Sequence, residues 1–267
     1  MEYLILVSIG LVAGLFGGLL GIGGAIIMIP ALVFAFGENQ HLYQAAGMIC
    51  NFFVGAASTV VHKRADVLVK EVVKWLAPSG ILGVVIGVAA SNSSFFAGSN
   101  KILLARLLGF FMIYVAIYNC WLLWRPPDKT DNIKVSENAY PMPLTILCGL
   151  LSGIPAGLLG VGGGTICVPT LQLFLKMPLK KAISNSAATV ALMALVGGLY
   201  KNLTLSQHGA RITESLRISG FVILGAVITA FVGSRLVHKL PTNLIRIIFV
   251  AICSLACYKL LTVAPSV

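Results

Sequence analysis

The chain has 267 residues, of which 58% are hydrophobic and 10% charged, with a net charge of +11. A soluble domain carries roughly 45–50% apolar and about 25% charged residues, so the composition excludes an ordinary soluble protein and identifies an integral membrane protein. The basic residues fall in short connections between apolar runs, which reads as contact with anionic headgroups and an orientation signal, with no nucleic-acid surface.

The first apolar stretch, 4–36, exceeds a simple span: as one straight helix it would be about 50 Å long. It follows Met1-Glu2-Tyr3, which lacks the positive region of a cleaved signal, so the stretch is expected to stay in the mature protein. Helix propensity is poorest at Gly17-Gly18-Leu19-Leu20-Gly21-Ile22-Gly23-Gly24, where each glycine loses nearly 1 kcal/mol relative to alanine. The stretch therefore reads as two half-helices meeting at a glycine turn, either a bent span or a re-entrant hairpin. Full spans follow at about 43–61, 72–90 and 102–124, and the polar segment 125–141, with Pro126-Pro127, separates a first half, 1–124, from a second, 142–267.

The second half repeats the plan, with a broken segment at 143–175 and spans at about 182–200, 216–237 and 244–261. Gly10, Gly14, Gly18, Gly21, Gly23 and Gly24 recur as Gly149, Gly153, Gly157, Gly160, Gly162 and Gly163, and Pro30 recurs as Pro169, all at an offset of 139. In the last span of each half an Arg precedes a Tyr by twelve residues, as Arg106 and Tyr118 and as Arg246 and Tyr258. The aliphatic runs and GxxxG spacings lack the alternation of an outer-membrane barrel; the fold class is an all-α polytopic membrane protein of two repeats, each a broken or re-entrant helical hairpin followed by three transmembrane helices.

If both broken segments cross once, Lys and Arg divide 11 to 8 between the two faces; if both are hairpins, they divide 13 to 6. Cytoplasmic connections collect Lys and Arg, so the hairpin reading is favoured, with both termini outside the inner (cytoplasmic) membrane. Each half then crosses an odd number of times, and the halves form an inverted repeat, a common plan of secondary transporters whose site lies between the repeats near the midplane.

Backbone leaving the helix inside hydrocarbon is tolerated only where it is buried in protein or lines a wet cavity. The half-helices starting near Ala25 and Thr165 would aim N–H groups and a positive dipole end at such a cavity, and helix N-termini of this kind bind anions. The candidate substrate contacts are therefore Gly21, Gly23, Gly24 and Ala25 in the first turn and Gly160, Gly162, Gly163, Gly164 and Thr165 in the second. Asn51, Ser184 and Asn185 are the nearby polar side chains; interhelical hydrogen bonding is the other reading of the two asparagines. Gly10, Gly14 and Gly18 and their copies read as close helix packing.

Arg106 and Arg246 are either snorkelling residues or counter-charges for an anion. No Asp or Glu lies deep in a span, so no carboxylate proton relay or sodium site is expected. His41, His62, His208 and His238 fall near span ends and read as interfacial. Cys50, Cys120, Cys148, Cys167, Cys253 and Cys257 read as small apolar residues, with neither metal nor disulfide spacing. The glycine turns lack the last glycine of a dinucleotide fingerprint and any Walker lysine, and no cofactor is expected.

The paired stretches Gly17-Gly18-Leu19-Leu20-Gly21-Ile22-Gly23-Gly24 with Pro30, and Ala156-Gly157-Leu158-Leu159-Gly160-Val161-Gly162-Gly163-Gly164 with Pro169, resemble the sulfite exporter TauE/SafE family, also grouped as the toluene sulfonate uptake permeases. The resemblance covers essentially the whole chain. It implies a permease for small sulfur-containing anions such as sulfite or organosulfonates, in either direction, with coupling to protons or other ions open to it. Ala25 stands where the second copy has Gly164, so the two turns need not contribute equally. A passive anion channel, a membrane-embedded enzyme or an assembly partner are the alternatives.

Overall fold

The computed structural model describes residues 1–93, 101–124 and 140–237, with scattered positions between 239 and 254. The expected boundary loop, the final span at 244–261, the Arg246–Tyr258 pair, His238, Cys253 and Cys257 lie in whole or in part outside the described residues.

The first broken segment is α1 (Glu2–Leu20) followed by α2 (Ala25–Phe36). α3 (Gln40–Arg64), α4 (Lys70–Ser91) and α5 (Lys101–Trp124) complete the first set. α6 (Met142–Leu159), α7 (Gly164–Leu175), α8 (Leu179–Thr204) and α9 (Ile212–Leu236) follow. Adding 139 to the bounds of α2 gives those of α7, and the same shift brings α1 and α3 within a residue of α6 and α8. The chain is an all-α polytopic membrane protein, and six helices among the described residues are long and apolar enough to cross a bilayer.

The breaks fall where the glycines lie. Gly21 and Gly160 close α1 and α6 in the left-handed conformation, with φ of 63° and 72°. Their arms are unequal: α1 has 19 residues and is itself of spanning length, whereas α2 has 12, so only the second arm is a half-helix. Pro30 and Pro169 sit inside the short helices, where each removes a backbone donor and loosens the first turn.

The central pair is α3 and α8, the most buried of the spans. Their register runs in opposite directions: Gly55 meets Ala187 and Ala191, while Gly198, further along α8, meets Met48. Around this pair each broken segment packs on a helix of the other set. Gly10, Gly14 and Gly18 of α1 lie against Val222, Ala226 and Ala230 of α9, so these two helices run parallel. Gly149, Gly153 and Gly157 of α6 lie in the same way against Leu76, Gly80 and Val84 of α4. Small residues at four-residue spacing let the backbones approach, which drives association where lipid is as apolar as the side chains.

α2 folds back along α3, as Ala25 lies beside Gly47 and Asn51, and Ile29 also reaches Gly47. At one end Asn185 ties two connections together, accepting from Val69 N at 3.1 Å and reaching Met177 Sδ at 3.7 Å. At the other end the His41 and His208 rings stack at 3.6 Å, joining the start of α3 to the 3-10 turn Leu205–His208. Large apolar side chains such as Leu82, Ile117, Leu199 and Ile228 are more than half exposed and form the lipid-facing surface.

The helix–helix seam gives a direct test. A side chain at Gly157 would run into the Val84 carbonyl and come within 2.8 Å of Val88 N, whereas Gly220 has nothing within 4 Å among the described residues. Gly157→Val should destabilise by about 1–3 kcal/mol or more, lowering the melting temperature in detergent by about 2–4 °C per kcal/mol. Gly220→Ala should leave it unchanged or slightly raised.

Candidate functional site

Both glycine turns converge on one side chain. Asn51, fully buried on α3, accepts a hydrogen bond at Oδ1 from Ala25 N at 2.8 Å, capping the start of α2. That bond fixes the amide orientation, because only the oxygen can accept from an N–H. The Nδ2 end therefore faces the second turn, where a Cβ on Gly162 would lie 2.5 Å from it. A Cβ on Gly23 would meet Oδ1 instead. Gly23 and Gly162 have φ of 83° and 84°, so glycine is required at both positions for backbone conformation and for space alike.

Asn51 Nδ2 is buried and has no hydrogen-bond partner among the described residues. The residue 139 further on is Val190, which packs against Gly162 with Cγ1 3.3 Å from its Cβ position and offers no acceptor. The start of α7 thus lacks the side-chain cap that α2 has. Thr165, in the first turn of α7, is buried and its Oγ1 also has no partner among the described residues. A buried polar group left unpaired costs roughly 1–3 kcal/mol, and here two donors and an uncapped helix start stand in the same region.

The turns also touch each other. A methyl at Gly164 would meet Ile22 and lie 2.6 Å from the Gly21 carbonyl, whereas the methyl of Ala25 rests against Gly47. The Ala25/Gly164 difference between the copies follows from this: only the second copy has the other turn's backbone against it. Gly24 and Gly163 differ as well, with φ of −86° and 74°. Ser186 Oγ donates to Gly21 O at 2.9 Å, a contact to the first turn that the sequence reading left out of its site.

The remaining expected site residues are placed differently. Asn185 Oδ1 accepts from Val69 N in the α3–α4 connection, and its Nδ2 donates one turn back in α8 to Lys181 O at 2.7 Å. Ser184 Oγ donates to Lys180 O at 2.7 Å. Neither is brought to the glycine turns by these bonds. Arg106 is exposed and faces Glu38 in the α2–α3 connection, where burial pushes the carboxyl up and the Arg106 charge lowers it in part.

His41 and His62 stand near the two ends of α3, as expected, and both are buried against neighbouring elements. Lys201, just past the end of the expected span at 200, belongs to α8 and is 3% exposed. Its Nζ donates to Gln44 Oε1 and, at 3.0 Å, to Ser91 Oγ. The signal for it was available: Gln44, Asn51 and Ser58 recur every seven residues on α3, and His62 stands 139 residues before Lys201. All four α3 residues are fully buried, forming one polar stripe. The described cysteines are free, with Cys50, Cys148 and Cys167 buried, and no cluster of metal-binding side chains occurs among the described residues.

A family model described as sulfite exporter TauE/SafE matches residues 6–260. A probable membrane transporter protein of Methanocaldococcus jannaschii is 27% identical over 93% of this chain and 91% of its own length. YunE of Bacillus subtilis, also a probable membrane transporter protein, is 25% identical over 90% and 98% respectively. MamO of Paramagnetospirillum magneticum, with the same description, is 26% identical over 96% of this chain, which spans only 44% of that protein. No solved structure matches. With the match running over nearly all of its length, the chain belongs to the sulfite exporter TauE/SafE family of membrane transporters.

Proposed function

We propose that the chain is a secondary transporter of small oxyanions of the sulfite and organosulfonate class, multi-pass in the inner membrane, with the anion held at the start of α7. Asn51 is the observation that carries this reading. Its oxygen completes α2, and its amide nitrogen faces the matching place on α7, where Val190 stands instead of a cap. An oxyanion there would accept from Asn51 Nδ2, from Thr165 Oγ1 and from the first N–H groups of α7, at the positive end of the helix dipole. Ala25, Gly21, Gly23 and Gly24 shape the opposing wall, with Gly160, Gly162, Gly163 and Gly164 supplying the approach of backbone to ligand. Ser184 and Asn185 support the α8 side.

The halves 1–124 and 142–267, joined by 125–141, form an inverted repeat in this reading, and alternating access comes from rocking one against the other. The antiparallel register of α3 against its counterpart α8, with the parallel pairings α1–α9 and α4–α6, supports it. Asn185 and the His41–His208 stack gather the connections in pairs at opposite ends. The connection after α3 and the one before α8, with Lys63, Arg64, Lys70, Lys176, Lys180 and Lys181 around them, belong on the cytoplasmic face.

In a thermal-shift screen of sulfite, sulfate, thiosulfate, sulfoacetate and taurine, at least one anion should stabilise the purified protein. Asn51→Asp keeps an acceptor for Ala25 N but turns a carboxylate toward the ligand, so it should remain folded and lose anion binding by more than tenfold; binding at the unaltered affinity would refute the site. Thr165→Val should weaken binding by about five- to tenfold, the worth of one hydrogen bond, whereas Asn185→Ala should lower the melting temperature with affinity unchanged. In a cysteine-free background, Asp66→Cys and Lys176→Cys should react with impermeant maleimide from one side of the membrane and Glu38→Cys and Gly209→Cys from the other; all four reacting from one side would contradict the inverted arrangement.

A further inference from the structure

Lys201 poses a problem that the transport site does not solve. A buried ammonium in a membrane bundle is costly and normally has a carboxylate or another acceptor array beside it. Its two hydrogen-bond partners, Gln44 Oε1 and Ser91 Oγ, are neutral, and no carboxylate among the described residues pairs with it. Two of the three ammonium protons are thereby placed.

Gln44 adds an independent observation. Because Lys201 can only donate, it fixes the Gln44 amide with its oxygen toward the ammonium, and Nε2 points elsewhere. That nitrogen is buried without a partner among the described residues, on a side chain that is fully buried. The cluster therefore holds a positive charge and spare donors, with Ser91 Oγ donating its own proton to Val88 O at 2.9 Å. What it lacks is a negative acceptor. The second glycine turn lies directly on it: a Cβ at Gly160 would come within 2.6 Å of Gln44 Cβ. Gln44 and Asn51 are seven residues apart on one helix, so they lie on the same face, about 10 Å apart along the axis at 1.5 Å per residue. Beyond Lys201 a second polar layer continues toward the helix ends, with Asn92 Nδ2 donating to Thr204 Oγ1 at 2.9 Å and His208 3.1 Å from Asn92 Oδ1.

We propose that Lys201, Gln44 and Ser91 form a second anion station, on the route between the Asn51 site and the end of the bundle where α3 begins. It takes the same chemical class, a small oxyanion, which serves as the counter-ion of Lys201 and accepts from Gln44 Nε2. This station rests on the transporter reading. It extends that reading with a charged residue that helps to set anion over neutral-solute selectivity.

The test uses the full chain with sulfite as probe, read by titration calorimetry and by uptake into proteoliposomes. Lys201→Met should weaken binding and slow uptake at least tenfold, and Lys201→Arg should recover most of both. Gln44→Glu places a carboxylate on the ammonium; it should raise the melting temperature without sulfite and abolish the lysine-dependent part of sulfite binding. If Lys201→Met or Gln44→Glu, whichever is well folded, binds and carries sulfite within twofold of the unaltered protein, the second station is overturned while the Asn51 site stands. A fall in melting temperature for Gln44→Glu would also overturn it, since Lys201 would then be no unpaired cation. If the unaltered protein binds none of the screened anions, both readings fall together.

Discussion

A helix that ends inside hydrocarbon leaves N–H groups that must be satisfied by protein or ligand, each at several kcal/mol if they are not. This constraint governs the molecule. At α2 it is met from within, by the Asn51 oxygen on Ala25 N. At α7 the corresponding residue is Val190, and among the described residues no side chain takes that part. The two copies thus share their helix bounds and differ in chemistry and in the backbone at Gly24 and Gly163, with the open end in the second turn.

The close helix seams serve the same constraint. Glycines on α1 and α6 seat each broken segment against a helix of the other set, and the turns interleave until Gly164 lies on Ile22. Movement of one repeat against the other would therefore be felt first at the turns and at Asn51, which touches both. In this account the ligand contacts and the hinge region are one and the same place, which is how differential binding could bias a two-state transporter.

Much of this was legible in the sequence. The glycine repeat located the breaks, since left-handed backbone at a helix end selects glycine whatever surrounds it. Hydropathy located the spans, with ends that fell a few residues short at α3 and α8. Those few residues mattered, because they carried Lys201 into the interior. A lysine at the end of an apolar run reads as a flanking charge unless the helix is known to continue. Asn185 looked equivalent to Asn51 by type, but the offset of 139 pairs Asn51 with Val190, and only the contacts show Asn185 bracing Val69. Which orphaned amide faces which turn depends on side-chain packing that no periodicity encodes.

Selenite offers the most direct measurement, as an oxyanion of sulfite's shape whose selenium can be located by anomalous scattering in crystals of the full chain. The expected peak stands at the start of α7, one Se–O bond beyond hydrogen-bonding distance of Asn51 Nδ2 and Thr165 Oγ1. Peaks confined to the basic connections at the membrane faces, with the space between the two turns empty at saturating selenite, would contradict it.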